Sequence, residues 1–188
     1  AGVALCDDQL FVALYGGTTI NAYDPDTGTL TGAVDLSDYD DGDGYPEVSD
    51  LVEVGGMLYA SLQQLDQNNG WIANGGMVLE MDCSTLEVTS EWDLDPNPKI
   101  ASHPSDDGAL LVTTGVYYST DGVVCALDLE SGEVSEPYAQ EIDLGLDINQ
   151  VVGVESGKAL ALASSVDDWG ATYSILCGDL NTGEWSVV

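Results

Sequence analysis

The sequence predicts an all-β fold made of four tandem modules, each a four-stranded antiparallel sheet. Three observations predict it. One phrase returns four times: "INAYDPDTGTL" from Ile20, "VLEMDCSTLEV" from Val78, "VCALDLESGEV" from Val124 and "ILCGDLNTGEW" from Ile175. Two apolar, strand-like runs precede every copy. Every copy also carries a tight turn that leads into one more such run, and no stretch shows helical periodicity.

The elements follow in order within each module. The first strands are "GVALC", "DLVEV", "KIASHP" and "NQVVGVE", and the second are "LFVALYG", "MLYASLQQL", "ALLVTTGVYY" and "ALALASSV". The third strands end on Asp24, Asp82, Asp128 and Asp179, and fourth strands such as "LTGAVDL" and "VTSEWDL" come next. Between third and fourth, "DPDTG", "DLESG" and "DLNTG" put Asp at the start and Gly28, Gly132 or Gly183 at the end. Asp bonds the backbone two residues on, and Gly accepts the positive φ that closes the turn. The second module has "DCSTL", so its turn must tolerate the side chain of Leu86. Further turn signals, "VGG", "SDDG" and "ESGK", separate first from second strands.

The four Asp anchors recur at intervals of roughly 50 residues, which points to propeller blades, and four antiparallel strands per unit fit a blade. The sequence is therefore divided into a single β-propeller domain over 1–188, with blades at approximately 1–36, 48–94, 99–144 and 148–188. The phrases "YDPDTGTLTG", "MDCSTLEV", "LDLESGEV" and "GDLNTGEW", each after a run like "LFVALYG", resemble the repeats of YVTN-type and quinoprotein-like β-propellers. The resemblance implies that fold, normally with six to eight blades, in a family that spans binding proteins and enzymes. Quinone dehydrogenases of this type carry a blade-locking Trp and an adjacent-cysteine ring. The Trp is missing after Asp24 and Asp128, Trp185 comes too early, and no two cysteines adjoin, so no quinone is expected. Four blades form either a small closed ring or part of a larger one, completed by further sequence or by another chain. An open arc would expose two apolar faces, so one of the two must hold, and the resemblance, with its usual six to eight blades, favours the partial ring.

Charge narrows the partners. The chain has 34 Asp plus Glu against Lys99 and Lys158, a net −32. Such a surface repels phosphate backbones and anionic lipid, so neither nucleic-acid binding nor membrane insertion is expected. No apolar run reaches the length of a membrane span, and "AGVALCDDQ" lacks the positive region of a signal peptide. Cys6, Cys83, Cys125 and Cys177 form no CxxC pair. They are read either as buried thiols or as one or two disulfides of an exported protein, extracellular, cell-surface or periplasmic, with the pairing left open.

Blade-to-blade connections and strand-two-to-three loops share one face of such a fold, and unusual residues gather there. The connection 37–50, "SDYDDGDGYPEVSD", offers Asp38, Asp40, Asp41, Asp43 and Asp50 as calcium ligands, since calcium takes six to eight hard oxygens and glycines allow the loop to wrap an ion. The full EF-hand spacing is not met, because Tyr39 stands at its first position; a solvated acidic turn is the alternative reading. The insertion 64–76 brings Asn68, Asn69 and Trp71, and the loop 166–172 brings Asp167, Asp168 and Trp169. An indole plate beside amides and carboxylates suits a sugar or peptide. His103, the lone imidazole, lies at a turn on the opposite face and reads as structural; no G-x-S-x-G phrase accompanies it.

The expectation is a non-catalytic binding or scaffolding propeller whose acidic loop face holds a protein or glycan partner, with calcium as the candidate cofactor. The alternatives are a propeller enzyme (carbohydrate lyase, hydrolase or degenerate quinoprotein) and a purely structural acidic module.

Overall fold

A computed structural model describes residues 1–40, 42–105, 108–165 and 172–188. Four antiparallel sheets of four strands account for most of them. Sheet 1 comprises β1 (Gly2–Cys6), β2 (Gln9–Ala13), β3 (Thr19–Tyr23) and β4 (Leu30–Asp35). Sheet 2 comprises β5 (Val48–Val54), β6 (Met57–Leu62), β9 (Gly76–Asp82) and β10 (Val88–Leu94). A small hairpin of β7 (Leu65–Asp66) and β8 (Ile72–Ala73) is inserted between its second and third strands. Sheet 3 comprises β11 (Lys99–Ser102), β12 (Ala109–Thr113), β13 (Val123–Asp128) and β14 (Ala139–Gln140). One helical turn, α1 (Glu141–Leu144), precedes sheet 4, which is β15 (Asp147–Val154), β16 (Lys158–Ser164), β17 (Tyr173–Asp179) and β18 (Glu184–Val187). Among the described residues no helix is long and apolar enough to cross a membrane.

The repeated turns explain why every module folds alike. Asp24, Asp82, Asp128 and Asp179 each accept backbone N–H bonds on Oδ1, and the residue four positions on donates its N–H back to the Asp carbonyl. That closing residue has positive φ throughout: Gly28 +67°, Leu86 +61°, Gly132 +73°, Gly183 +71°. Leu86 bears the strain of this backbone, and its side chain lies over Gly32 on β4, where a Cβ would clash with it. Burial of that leucine against the core offsets the cost.

The chain divides into two compact units, Ala1–Pro98 and Lys99–Val188. In the first, Phe11, Ala13, Ile20 and Ala22 of sheet 1 pack on Leu51, Ala60, Leu62 and Leu79 of sheet 2. In the second, Leu111 and Val124 of sheet 3 pack on Val151, Ala161, Ala163 and Leu176 of sheet 4. The pleat sends alternate residues to opposite faces, so each sheet presents one complete row to its neighbour. Cys6, at the end of β1, is bonded to Cys83 in the turn after β9, with Cα atoms 6.0 Å apart. Cys125 and Cys177 are free thiols.

The structure also corrects three sequence boundaries. "ALLVTTGVYY" is not one strand: β12 stops at Thr113, because Gly115 (φ +122°) and Tyr118 (φ +63°) turn the chain away from the sheet. The fourth strand of module three is the two-residue β14, with a lone bridge Leu127–Val134 before it. Among the described residues the chain also forms a short α-helical turn, α1, closed by Gly145 in the left-handed region.

Candidate functional site

The acidic connection of the first unit is held by its own carboxylates. Asp40 Oδ1 accepts the N–H groups of Gly42 (2.6 Å) and Gly44 (2.8 Å), and Asp43 Oδ1 accepts that of Tyr45. Asp43 Oδ2 accepts the Gln67 N–H at 2.7 Å, which ties the connection to the inserted hairpin. Glu47 completes the tie. It is fully buried with φ +46°, and its carboxylate accepts Leu65 N–H (3.0 Å) and Gln67 Nε2–H (2.7 Å). Backbone hydrogen bonds from Gly44 and Gly42 hold Asp40 below the usual carboxylate range.

These bonds position the predicted aromatic. Asp66 caps the turn Gln67–Asn69 by accepting the Asn69 N–H, and Trp71 follows with φ +65°, donating its N–H to the Asp66 carbonyl. Trp71 is 53% exposed, with Asn68 and Asn69 also exposed beside it. The hairpin therefore presents the indole to solvent. Of the proposed calcium ligands, Asp38 lies in a 3-10 turn and Asp50 on β5, where its N–H donates to Ser61 Oγ. Among the described residues no three acidic, His or Cys side chains form a metal-holding group. Asp41, Asp167, Asp168 and Trp169 lie outside the described residues.

The second unit has a cleft that sequence reasoning did not single out. Its volume is about 310 Å³, and Lys99, Tyr117, Tyr118, Asp147, Asn149 and Tyr173 line it together with Gln150, Leu162 and Ser164. The elements place these residues at one end of sheets 3 and 4. Lys99 opens β11, the two tyrosines occupy the loop between β12 and β13, Asp147 opens β15, and Tyr173 opens β17. A bulge in β15 between Ile148 and Gln150 frees Asn149 from the ladder, and its carbonyl accepts a bond from Lys99 Nζ. The same ammonium stands 4.7 Å from the centroid of the Tyr117 ring, a cation–π distance. Asp147 is buried and accepts the Tyr118 N–H at 2.7 Å, fixing that loop. Tyr117, Tyr118 and Tyr173 are all exposed. The segment 166–171, which carries three of the predicted site residues, connects Ser164 to Tyr173 in sequence.

A second buried carboxylate braces this cleft from behind. Glu141, 1% exposed, accepts the N–H groups of Gly122 (2.8 Å) and Ile148 (2.7 Å), joining the tyrosine loop to β15. Gly122 is required there, since a Cβ would collide with the carboxylate. Desolvation pushes the Glu141 carboxyl up to about 7 against the lowering effect of those two bonds, with Asp147 and Asp121 adding like-charge repulsion. Both oxygens are occupied by backbone donors, so the group positions the cleft and does not face it. His103 accepts the Ser105 N–H on Nδ1 and lies 3.5 Å from the Tyr138 hydroxyl, as a turn residue does.

No family model matches the sequence, and no curated protein matches it. Solved structures do. The WD40 repeats of RRP9 superpose with a TM-score of 0.67 at 9% identity, over 99% of this chain and 49% of that one. The Dos1 propeller gives 0.62 at 19% identity, over 97% and 45%. Kuenenia stuttgartiensis hydrazine synthase gives 0.56 at 14% identity, over 100% and 65%. At such identities the likeness is one of fold, and that fold is the β-propeller. The chain spans between 45% and 65% of the length of these structures.

Proposed function

We propose that this chain is a non-catalytic binding propeller whose loop face holds a glycan in the tyrosine cleft of the second unit. The observation that carries the reading is a single cleft lined by three exposed tyrosines and by Lys99, one of only two lysines in a chain without arginine. Sugars offer apolar ring faces and a rim of hydroxyls. Tyrosine supplies apolar area with a polar tip, and Asn149, Gln150 and Ser164 supply the donors and acceptors that fix orientation. Lys99 adds a local preference for a carboxylate-bearing sugar, against a net charge that disfavours large polyanions. The exposed Trp71 hairpin is a second plate of the same character. The turn phrases support a YVTN-type kinship, and the Cys6–Cys83 bond supports an oxidising, exported location. Calcium at 38–50 belongs to the same proposal.

Glycan-array binding followed by calorimetry tests the function. Tyr118→Ala and Tyr173→Ala are each expected to weaken the selected glycan at least tenfold, the scale of losing one stacked ring of ~1.4 kcal/mol. Affinity unchanged in both variants, or no glycan retained by the parent chain, overturns the reading.

A further inference from the structure

Among the described residues, four steps place Asn or Asp directly before Gly: Asp43–Gly44, Asn69–Gly70, Asn74–Gly75 and Asp121–Gly122. Such a step can modify itself. Glycine bears no side chain, so its backbone nitrogen can reach the carbonyl carbon of the preceding side chain and close a five-membered succinimide. Whether the ring closes depends on what else holds the two residues.

Three of the four steps are held. The Gly44 N–H donates to Asp40 Oδ1 at 2.8 Å, and both Asp43 oxygens accept backbone N–H groups, from Tyr45 and Gln67. The Gly122 N–H donates to the buried Glu141 carboxylate at 2.8 Å, and Asp121 Oδ1 accepts the Val116 N–H at 3.0 Å. Both of these steps also start from a carboxylate, which resists nucleophilic attack. Asn74–Gly75 lies at the base of the inserted hairpin. There the Asn74 N–H donates to the Gln64 carbonyl at 3.4 Å, and Gln64 Oε1 stands 3.6 Å from the place of a Cβ on Gly75.

Asn69–Gly70 differs. Both residues are exposed at the tip of the hairpin. Among the described residues no hydrogen bond engages the Asn69 carboxamide, and nothing beyond the chain neighbours comes within 4 Å of the place of a Cβ on Gly70. Side chain and water therefore both have access. One restraint acts on the step. The 3-10 turn Gln67–Asn69 keeps the Asn69 N–H on Asp66 Oδ1 at 3.0 Å, and the Asp66 carbonyl takes the Trp71 N–H at 2.8 Å. Helical backbone at Asn69 turns the Gly70 nitrogen away from the side chain, so the turn must loosen before the ring closes.

We infer that Asn69 is a site of spontaneous deamidation, with the Asp66 cap as the brake on its rate. The Gly70 nitrogen bonds to Asn69 Cγ, the carboxamide C–N bond breaks, and ammonia leaves with the proton that Gly70 gives up. Solvent water then opens the succinimide at either carbonyl, giving aspartate or isoaspartate in a redox-neutral step. Either product sets a carboxylate beside the exposed Trp71. Isoaspartate also adds one carbon to the backbone between the Asp66 cap and the indole, which displaces the Trp71 N–H from the Asp66 carbonyl. The neutral amide flank of the Trp71 plate thereby becomes acidic with time. The inference is independent of the glycan reading of the tyrosine cleft.

Incubation of the intact chain at pH 8 and 37 °C tests it, with peptide mapping by mass spectrometry and electron-transfer fragmentation to tell aspartate from isoaspartate. Conversion is expected to be at least about tenfold faster at Asn69 than at Asn74, because the exposed tip opens more readily than the hairpin base. In the urea-unfolded chain the two rates are expected to converge, since both steps are then plain Asn–Gly. Asp66→Ala is expected to speed the Asn69 reaction about fivefold, the scale of losing one cap, with circular dichroism checking that the variant folds. Equal rates at the two asparagines in the folded chain overturn the inference. So does an Asn69 that stays intact while the unfolded chain converts, or an Asn69 rate indifferent to Asp66→Ala.

Discussion

Glu141 shows how one residue sets a pH dependence. Its carboxyl is raised to about 7 in the folded chain, against the 4.5 that applies when it is exposed. The folded state therefore binds more protons than the unfolded state between those values. The stability contribution is complete below about pH 4.5 and is lost as pH rises through 7. Asp24, Asp40, Asp82, Asp128 and Asp179 work in the opposite sense, because backbone or side-chain hydrogen bonds lower each of them; Asp82 falls to about 2. Their contribution is present above pH 4 and lost below it. Urea unfolding is thus expected to show maximal stability near pH 4.5, with a loss of about 1–3 kcal/mol from pH 5 to 8 that falls mostly below pH 7. In Glu141→Gln that upper slope should vanish, although stability at pH 5 should fall because an amide N–H then faces a backbone donor. An unchanged slope in the variant refutes the assignment. Residue-scale chemistry was legible where it was local. The Asp anchors and the side-chain tolerance required of Leu86 followed from four-residue phrases. Glu47 and Glu141 did not, because their burial depends on which loops the fold brings over them.

At the scale of elements, strands and turns were readable because each rests on period-two patterning and on one turn chemistry repeated four times. The cleft was not readable for a specific reason. "GVYYST" has strand-like composition, and only the left-handed backbone of Tyr118 together with the Asp147 bond makes it a loop. The bulge that frees Asn149 likewise has no sequence mark. Cysteine pairing was equally hidden, since 77 residues separate Cys6 from Cys83 and their meeting depends on sheet 1 packing against sheet 2. That bond closes a long loop, so Cys6→Ser combined with Cys83→Ser is expected to cost about 2–4 kcal/mol in urea unfolding. Gln9 Nε2 also donates to the Cys83 carbonyl, which keeps the turn seated after reduction. The double variant should therefore unfold more easily and yet retain its β-sheet dichroism. Equal stability with and without the bond would show that sheet packing alone holds the first unit.

For the whole molecule the largest single influence is charge. Lys158 pairs with Asp179, but two lysines and no arginine stand against 34 acidic side chains, so most of the carboxylates repel one another. Screening shortens the reach of that repulsion from ~10 Å at 0.1 M salt to ~3 Å at 1 M. Melting temperature is therefore expected to rise by about 5 °C between 0.05 and 1 M NaCl, on the scale of roughly 1–2 kcal/mol for a chain of this size. The same experiment separates screening from a calcium site. Millimolar calcium should exceed NaCl of matched ionic strength if the 38–50 loop wraps an ion, and Asp40→Asn with Asp43→Asn should abolish the excess. Those carboxylates already accept N–H groups from Gly42, Gly44, Tyr45 and Gln67, so an ion must be held by their remaining lone pairs and by neighbouring oxygens. Identical melting in the two salts would reduce the loop to a solvated acidic turn. It would leave charge density, and not a bound metal, as what added salt relieves in this chain.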